Sequence, residues 1–183
     1  MGLTPSLFDK YPNELSGGQC QRTAITRAVI SNPDFVACDE AVSALDASVR
    51  SSVLHLLKDL QAQKGISCLF ISHDLSVINY MSDRVVVMSL GTIVESAVTR
   101  NLFAHPTYPY TKEPLSAIPI PQYGVQKEYV ALEGEVPSPP NPPSECRFHT
   151  RCTYAGKEYK ECCLALHPIG NDHYVACHRV ISN

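Results

Sequence analysis

Apolar positions in the first hundred residues follow two different periods. DFVACDE, residues 34–40, is a short apolar run closed by two carboxylates, which predicts a buried strand. DASVRSSVLHLLKDLQAQ, residues 46–63, repeats Val49, Val53, Leu56, Leu57 and Leu60 at helical spacing, with Asp46 fitting an N-cap and Lys64-Gly65 a stop. ISCLFISHD (66–74) predicts a second buried strand, LSVINYMSD (75–83) a short helix, and RVVVMSLGTIVES (84–96) a hairpin turning at Leu90-Gly91. Strands alternating with helices at this pitch predict an α/β arrangement whose parallel sheet is covered on both faces.

The pattern changes beyond residue 97, because ten of the fourteen prolines lie between Pro106 and Pro143. Proline cannot donate to a strand ladder, so PSPPNPP (137–143) reads as an extended connector. Two regions follow: residues 1–97, and a tail, 98–183, in which LFAHPTYPYTKEPLSAIP leads into a cluster of cysteines. No internal repeat is visible.

Composition narrows the class. With 183 residues, net charge −3, 44% hydrophobic and 18% charged residues, the chain has the balance of an ordinary soluble globular protein and no basic excess that would argue for nucleic acid. No apolar run approaches the roughly 20 residues of a membrane span, and the start lacks the basic and apolar segments of a secretory leader, so a cytosolic setting is expected. Cys20, Cys38 and Cys68 are scattered among apolar residues and read as small buried hydrophobes. Cys146, Cys152, Cys162, Cys163 and Cys177 crowd the last 40 residues, and in a reducing compartment that points to metal before disulfides.

The chemistry begins at NELSGGQCQRTAITRAVI, residues 13–30. A helix start leaves backbone N–H groups unsatisfied and partly positive, so Ser16 as N-cap, followed by Gly17 and Gly18 without side chains, offers a phosphate a close seat. Ser-Gly-Gly alone also fits a merely permissive loop-to-helix junction. Asp39 and Glu40 arrive together at a strand end, where one carboxylate can hold Mg²⁺ and its neighbour can orient and deprotonate an attacking water. His73 stands at the end of the next predicted strand, where open parallel sheets bind ligands; a lone histidine there also fits a purely structural hydrogen bond.

Taken together these segments resemble the ATP-binding subunits of ABC transporters. LSGGQ (Leu15–Gln19) is similar to the family's signature motif, FVACDE to its Walker B strand, SALD (Ser43–Asp46) to its D-loop, and SHD (72–74) to its switch histidine. In such proteins two subunits face each other head to tail, each ATP lying between the Walker A loop of one and the signature motif of the other. The resemblance implies that Ser16, Gly17, Gly18, Gln19 and Asp46 contact nucleotide held mainly by a second ATPase subunit. It also implies that Asp39 holds Mg²⁺, Glu40 is the catalytic base and His73 senses the γ-phosphate. The tail is similar to the C-terminal extension of oligopeptide and dipeptide importers, with PSPPNPPSEC leaning toward their F-type subunit. Peptide import, docking to membrane permease subunits and a peripheral position on the cytoplasmic membrane face are the corresponding expectations.

Departures from the family pattern matter too. A phosphate-cradling G-x-x-x-x-G-K-[ST] loop does not occur in this sequence; the one Gly-Lys pair, Gly156-Lys157, is followed by Glu158. Ala41-Val42 and Cys20 replace the family's usual Pro-Thr and glutamine. The chain therefore reads as the C-terminal part of such a subunit, either energising transport by ATP hydrolysis or, alternatively, lacking catalysis and supplying its signature motif in trans to a partner. In the tail, four thiolates from Cys146, Cys152, Cys163 and Cys177 suit a tetrahedral Zn²⁺ or an iron-sulfur cluster, spacing does not choose between them, and reduced thiols in a folded loop fit the same residues. The resemblance favours a four-iron cluster. Cys162 competes with Cys163, and His149, His173 and His178 are substitutes in a zinc site.

Overall fold

The computed structural model describes residues 4–117, 137–144, 146–156 and 164–181. They form two compact units, Met1–Met81 and Ser82–Asn183. In the first, helix α1 (Gly17–Val29) is followed by strand β1 (Phe35–Asp39), helix α2 (Ala47–Lys64), strand β2 (Ser67–Ile71) and helix α3 (Leu75–Met81). β1 and β2 pair in parallel from Phe35↔Ser67 to Asp39↔Ile71, with α2 as the crossover.

Local chemistry sets the ends of α2. Asp46 accepts hydrogen bonds from the backbone of Ser48 (3.1 Å) and Val49 (3.0 Å), and Gly65 closes the helix in a left-handed conformation at φ 68°. Its buried face carries Val53, Leu54 and Leu57. These meet Ile25 and Val29 of α1, Val36 and Cys38 of β1, and Val77 and Met81 of α3 in one apolar core.

The expectation of a sheet covered on both faces is not met among the described residues. Side chains alternate along each strand, so Val36 and Cys38 point into the core while Phe35, Leu69 and Ile71 remain 57%, 50% and 46% exposed on the opposite face. Helices cover only the first of these faces.

In the second unit, β3 (Arg84–Ser89) and β4 (Thr92–Val98) form the expected hairpin, turning through Leu90 (φ 47°) and Gly91 (φ 76°). Two left-handed residues in succession match the right-handed twist of the strands they join. Tail residues complete the sheet, which the expectation of an irregular extension did not include. β5 (His167–Gly170) and β6 (His173–Val175) turn at Asn171-Asp172, and the sheet order is β3-β4-β6-β5. Between the strand pairs lie helices α4 (Thr99–Ala104) and α5 (Pro109–Ala117).

A fully buried carboxylate ties this unit together. Glu95 on β4 is 0% exposed, and it accepts hydrogen bonds from the backbone of Thr107 (2.8 Å) and Tyr108 (3.3 Å) and pairs with His173 Nε2 (2.8 Å). One side chain thus joins the hairpin, the entry to α5 and β6, and every polar atom it buries has a partner. Among the described residues no helix is long and apolar enough to cross a membrane.

Candidate functional site

The first turn of α1 is built by a reciprocal cap. Ser16 Oγ accepts from the Gln19 backbone (3.3 Å), and Gln19 Oε1 accepts from the Ser16 backbone (2.9 Å). Both side chains therefore serve the helix, and the Ser16–Gly17 corner is exposed. The N–H groups of Gly17 and Gly18 precede the first intrahelical bond, which runs from Cys20 to the Ser16 carbonyl (2.9 Å).

The two glycines have different reasons to lack a side chain. A Cβ on Gly18 would stand 2.5 Å from Val49 Cγ1, so α1 crosses the first turn of α2 too closely for any larger residue. A Cβ on Gly17 would meet only Leu45 Cδ2, at 3.6 Å, an ordinary contact. Packing explains Gly18; it does not explain Gly17.

At the ends of the parallel strands, Glu40 follows β1 and His73 follows β2. The ladder continues one step beyond the strands, Glu40 N–H donating to the Ile71 carbonyl at 3.0 Å. This register brings His73 Nδ1 to 3.0 Å from Glu40 Oε1 although the residues are 33 apart in sequence. Glu40 adopts φ 48°, a left-handed conformation uncommon outside glycine and enriched at functional sites. The hydrogen bond from His73 holds the Glu40 carboxyl below its ordinary range, with smaller help from Ser43. Both side chains are open to solvent, at 79% for His73 and 42% for Glu40. Asp39, the last residue of β1, is exposed beside them.

The loop between β1 and α2 links these two features. Ser43 donates to the Glu40 carbonyl from its hydroxyl (2.9 Å) and its backbone (3.2 Å), and Leu45 reaches Gly17. Asp46 is the cap of α2, and bonds from the Val49 backbone, then Ser48, lower its pKa. Sequence reasoning missed Arg50. Its Nη1 donates to Asp74 Oδ2 at 2.8 Å and its Nη2 to the Leu45 carbonyl at 3.2 Å, fastening the loop to the segment that carries His73. Asp74 in turn caps α3 through Ser76 (3.0 Å) and Val77 (3.3 Å). The available signal was position: Arg50 lies one helical turn after the Asp46 cap.

In the second unit, Cys146, Cys152 and Cys177 border one small cavity together with Tyr108, Phe148, His149 and His178. Tyr108 Oη is 4.0 Å from Cys146 Sγ, and burial raises the pKa values of Tyr108, Cys152 and Cys177. Among the described residues no group of three or more histidines, cysteines or carboxylates is disposed to hold a metal ion. Cys162 and Cys163 lie outside the described residues. The suggestion of His173 as a zinc ligand is corrected: it is buried against Glu95. His149 directs Nδ1 to the Cys146 carbonyl at 2.8 Å. In the first unit, Cys38 and Cys68 behave as small core residues, burial pushing the Cys38 thiol up to about 11.

Residues 1–43 match the ABC transporter family, and residues 94–162 match the oligopeptide/dipeptide transporter C-terminal region. The chain is 47% identical over 185 residues to the oligopeptide transport ATP-binding protein OppF of Salmonella typhimurium, covering 98% of this chain and 54% of that protein. It is 48% identical over 180 residues to a putative oligopeptide transport ATP-binding protein, YkfD, of Bacillus subtilis, covering 97% of this chain and 55% of the relative. The chain thus spans about half the length of the curated relatives it matches. A crystal structure of the ADP conformation of an ATP-binding cassette of an ABC transporter superposes with TM-score 0.51 at 27% identity, covering 58% of this chain and 43% of that one.

Proposed function

Because the chain belongs to the family of oligopeptide and dipeptide ABC transporter ATP-binding proteins, of which it spans about half the length, we propose that it forms the γ-phosphate-facing part of a shared ATP site that energises peptide import. The observation that carries this reading is the 3.0 Å contact between His73 and Glu40 at the ends of two parallel strands, beside an exposed Asp39. In this reading the nucleotide role belongs to the first unit, Met1–Met81, while the hairpin of residues 84–98, which the sequence boundary at 97 grouped with it, shares a sheet with the importer-type extension.

The residues fit the groups this function requires. Mg²⁺ is bound in phosphoryl-transfer sites by one or two carboxylates, waters and substrate phosphates, so Asp39 alone is a sufficient protein ligand. When bound, the metal would neutralise charge on the phosphates. Gly17 leaves the α1 N-terminus open enough for a phosphate to approach the backbone N–H groups, aided by the helix dipole. Glu40, held charged by its hydrogen bond, is an acceptor that can orient a water and take its proton. His73 uses Nδ1 for Glu40, which leaves Nε2 to face a ligand; doubly protonated, it would donate to a phosphate oxygen. The Leu45–Asp46 loop, fastened by Arg50, would hold both halves of the site in register.

Pairing with a second ATPase subunit, whose phosphate-cradling loop would face the α1 N-terminus across a shared nucleotide, is part of the proposal. Docking to membrane permease subunits belongs to the same proposal, as does a peripheral position on the cytoplasmic membrane face. In the tail, Cys146, Cys152 and Cys177 border one cavity but are not disposed as a metal site among the described residues, so an iron-sulfur cluster or Zn²⁺ there would need a fourth thiolate from residue 162 or 163. Anaerobically purified protein that contains neither iron and sulfide nor zinc would refute that part of it.

Mixing the chain with an intact relative such as the Salmonella protein tests the main proposal. The expected result is a change in the relative's ATPase rate that Gly17→Asp abolishes and Glu40→Gln alters. Rates unaffected by the chain, or identical for wild type and Gly17→Asp, would refute it.

A further inference from the structure

The second unit holds a cavity of about 180 Å³ that the nucleotide chemistry leaves unused. It is bounded by Met88 and Ser89 at the hairpin turn, Tyr110 on α5, and Arg147, Phe148 and Arg151. At about 30 Å³ per water this is room for roughly six waters, suited to one small molecule rather than a nucleotide.

Two guanidinium groups border a space otherwise lined largely by hydrocarbon. Arg147 donates to the Leu90 carbonyl, using one of its five N–H groups to clamp its loop onto the hairpin turn. Arg151 is different: its Nε is buried and has no hydrogen-bond partner among the described residues. None of the ion pairs among those residues includes either arginine. The Arg151 Nε is closed off from the cavity; what a bound anion would offset is the charge of the two guanidinium groups, which no ion pair among the described residues neutralises. Met88, Phe148 and Tyr110 supply the apolar walls, with the Tyr110 ring set edge-on to Phe148 at 5.8 Å.

We infer that this cavity binds a small organic carboxylate, its charged end held between Arg147 and Arg151 and its apolar body resting on Met88, Phe148 and Tyr110. The planar guanidinium fork matches a carboxylate in bidentate fashion. A phosphate dianion would instead require donors around most of its surface, and among the described side chains lining the cavity these are the two arginines and the Ser89 and Tyr110 hydroxyls, with hydrocarbon making up the rest. This site is independent of the nucleotide reading and stands or falls separately from it.

Titration calorimetry on the full chain tests the inference with phenylacetate as the probe, phenylacetamide as its neutral counterpart, and inorganic phosphate. Saturable phenylacetate binding is expected, with both other compounds at least tenfold weaker. Arg151→Met should weaken phenylacetate by about ten- to a hundredfold, the worth of a charge-assisted hydrogen bond. It should do so without lowering the melting temperature of the ligand-free chain, since it removes an unpaired buried nitrogen. Arg84→Met, which breaks a pair with Asp172 that does not line the cavity, should leave binding unchanged. If Arg151→Met does not fold, Arg151→Lys carries the test, since it keeps the charge and loses the fork. The inference is overturned by absence of saturable phenylacetate binding, by phosphate or the amide binding as tightly, or by wild-type affinity in the Arg151 variant.

Discussion

Gly18→Ala isolates what the glycines of the signature helix do. The added methyl would lie 2.5 Å from Val49 Cγ1, about 1 Å inside the usual contact distance between carbon atoms. Val49 is β-branched and sits in the first turn of α2, so its side chain has little freedom to swing aside, and the two helices must separate. Overpacking of this kind costs about 1–3 kcal/mol, offset by up to about 1 kcal/mol from alanine's better helix propensity. A net loss of about 1–2 kcal/mol should appear as a lower urea midpoint at unchanged slope. Gly18→Ala/Val49→Ala should recover most of it, giving a coupling energy of about 1 kcal/mol between the two sites. Gly17→Ala should be neutral or stabilising, because its methyl meets Leu45 at an ordinary 3.6 Å. Yet Gly17→Ala should weaken the effect of the chain on a partner's ATPase rate. If Gly18→Ala is as stable as wild type, or Gly17→Ala costs as much, the division between a packing glycine and a ligand-facing one is wrong.

Four further outcomes follow from the same geometry. Glu95→Ala should destabilise the second unit by about 3–5 kcal/mol, because it strands two backbone donors and a buried histidine, whereas Glu95→Gln keeps one acceptor and should cost about 1–3 kcal/mol; unchanged amide exchange at Thr107 and Tyr108 in the alanine variant would count against this. His73→Ala should raise the Glu40 titration midpoint toward the ordinary glutamate range, followed by carbon NMR. Since that carboxyl is depressed in the folded chain, its stabilising share is present above the ordinary value and disappears as pH falls through the lowered one; an unmoved midpoint would remove His73 as the cause. Arg50→Met should change stability by only about 0.2–1 kcal/mol, as expected of a part-exposed ion pair, while loosening the Leu45 loop; a wild-type effect on the partner's ATPase rate would deny Arg50 a positioning role. The isolated chain should show no measurable ATP affinity by equilibrium dialysis, because no phosphate-cradling loop occurs in its sequence, and a micromolar dissociation constant would contradict that.

Where backbone chemistry is local, the sequence was a good guide to the fold. The Ser16 and Asp46 caps, the Gly65 stop and the Leu90-Gly91 turn each depend on a few consecutive residues, and each is found as expected. Elements that depend on distant pairing were not readable. β5 and β6 are short, and His167-Pro168 looks like the continuation of an irregular tail until β6 docks on β4 through Glu95↔Val175 and Ser96↔Tyr174. The bare face of β1 and β2 was hidden for a related reason. An apolar run such as FVAC reads the same whether one face or both are covered, and only neighbouring elements decide which.

The site shows the same division at the level of single side chains. Glu40 and His73 could be named from the strand ends that carry them, because a parallel pair with α2 as its crossover brings both carboxyl ends to one edge. Their direct hydrogen bond could not, since it requires a specific register and a left-handed Glu40, and β1 offers no glycine at that position to announce the bend. Arg50 escaped notice because its role is relational. On its own helix it is one more exposed-face cation, and it gains meaning only where α2 passes the Asp74 cap of α3. Gly18 carries a second demand that its sequence context did not reveal. Two adjacent glycines invited one explanation, an approaching phosphate, but the crossing of α1 over Val49 already demands the second of them. At Gly17 packing makes no competing demand, so phosphate approach is the proposed reason for its missing side chain, and a weakened ATPase effect of Gly17→Ala at undiminished stability is what tests it.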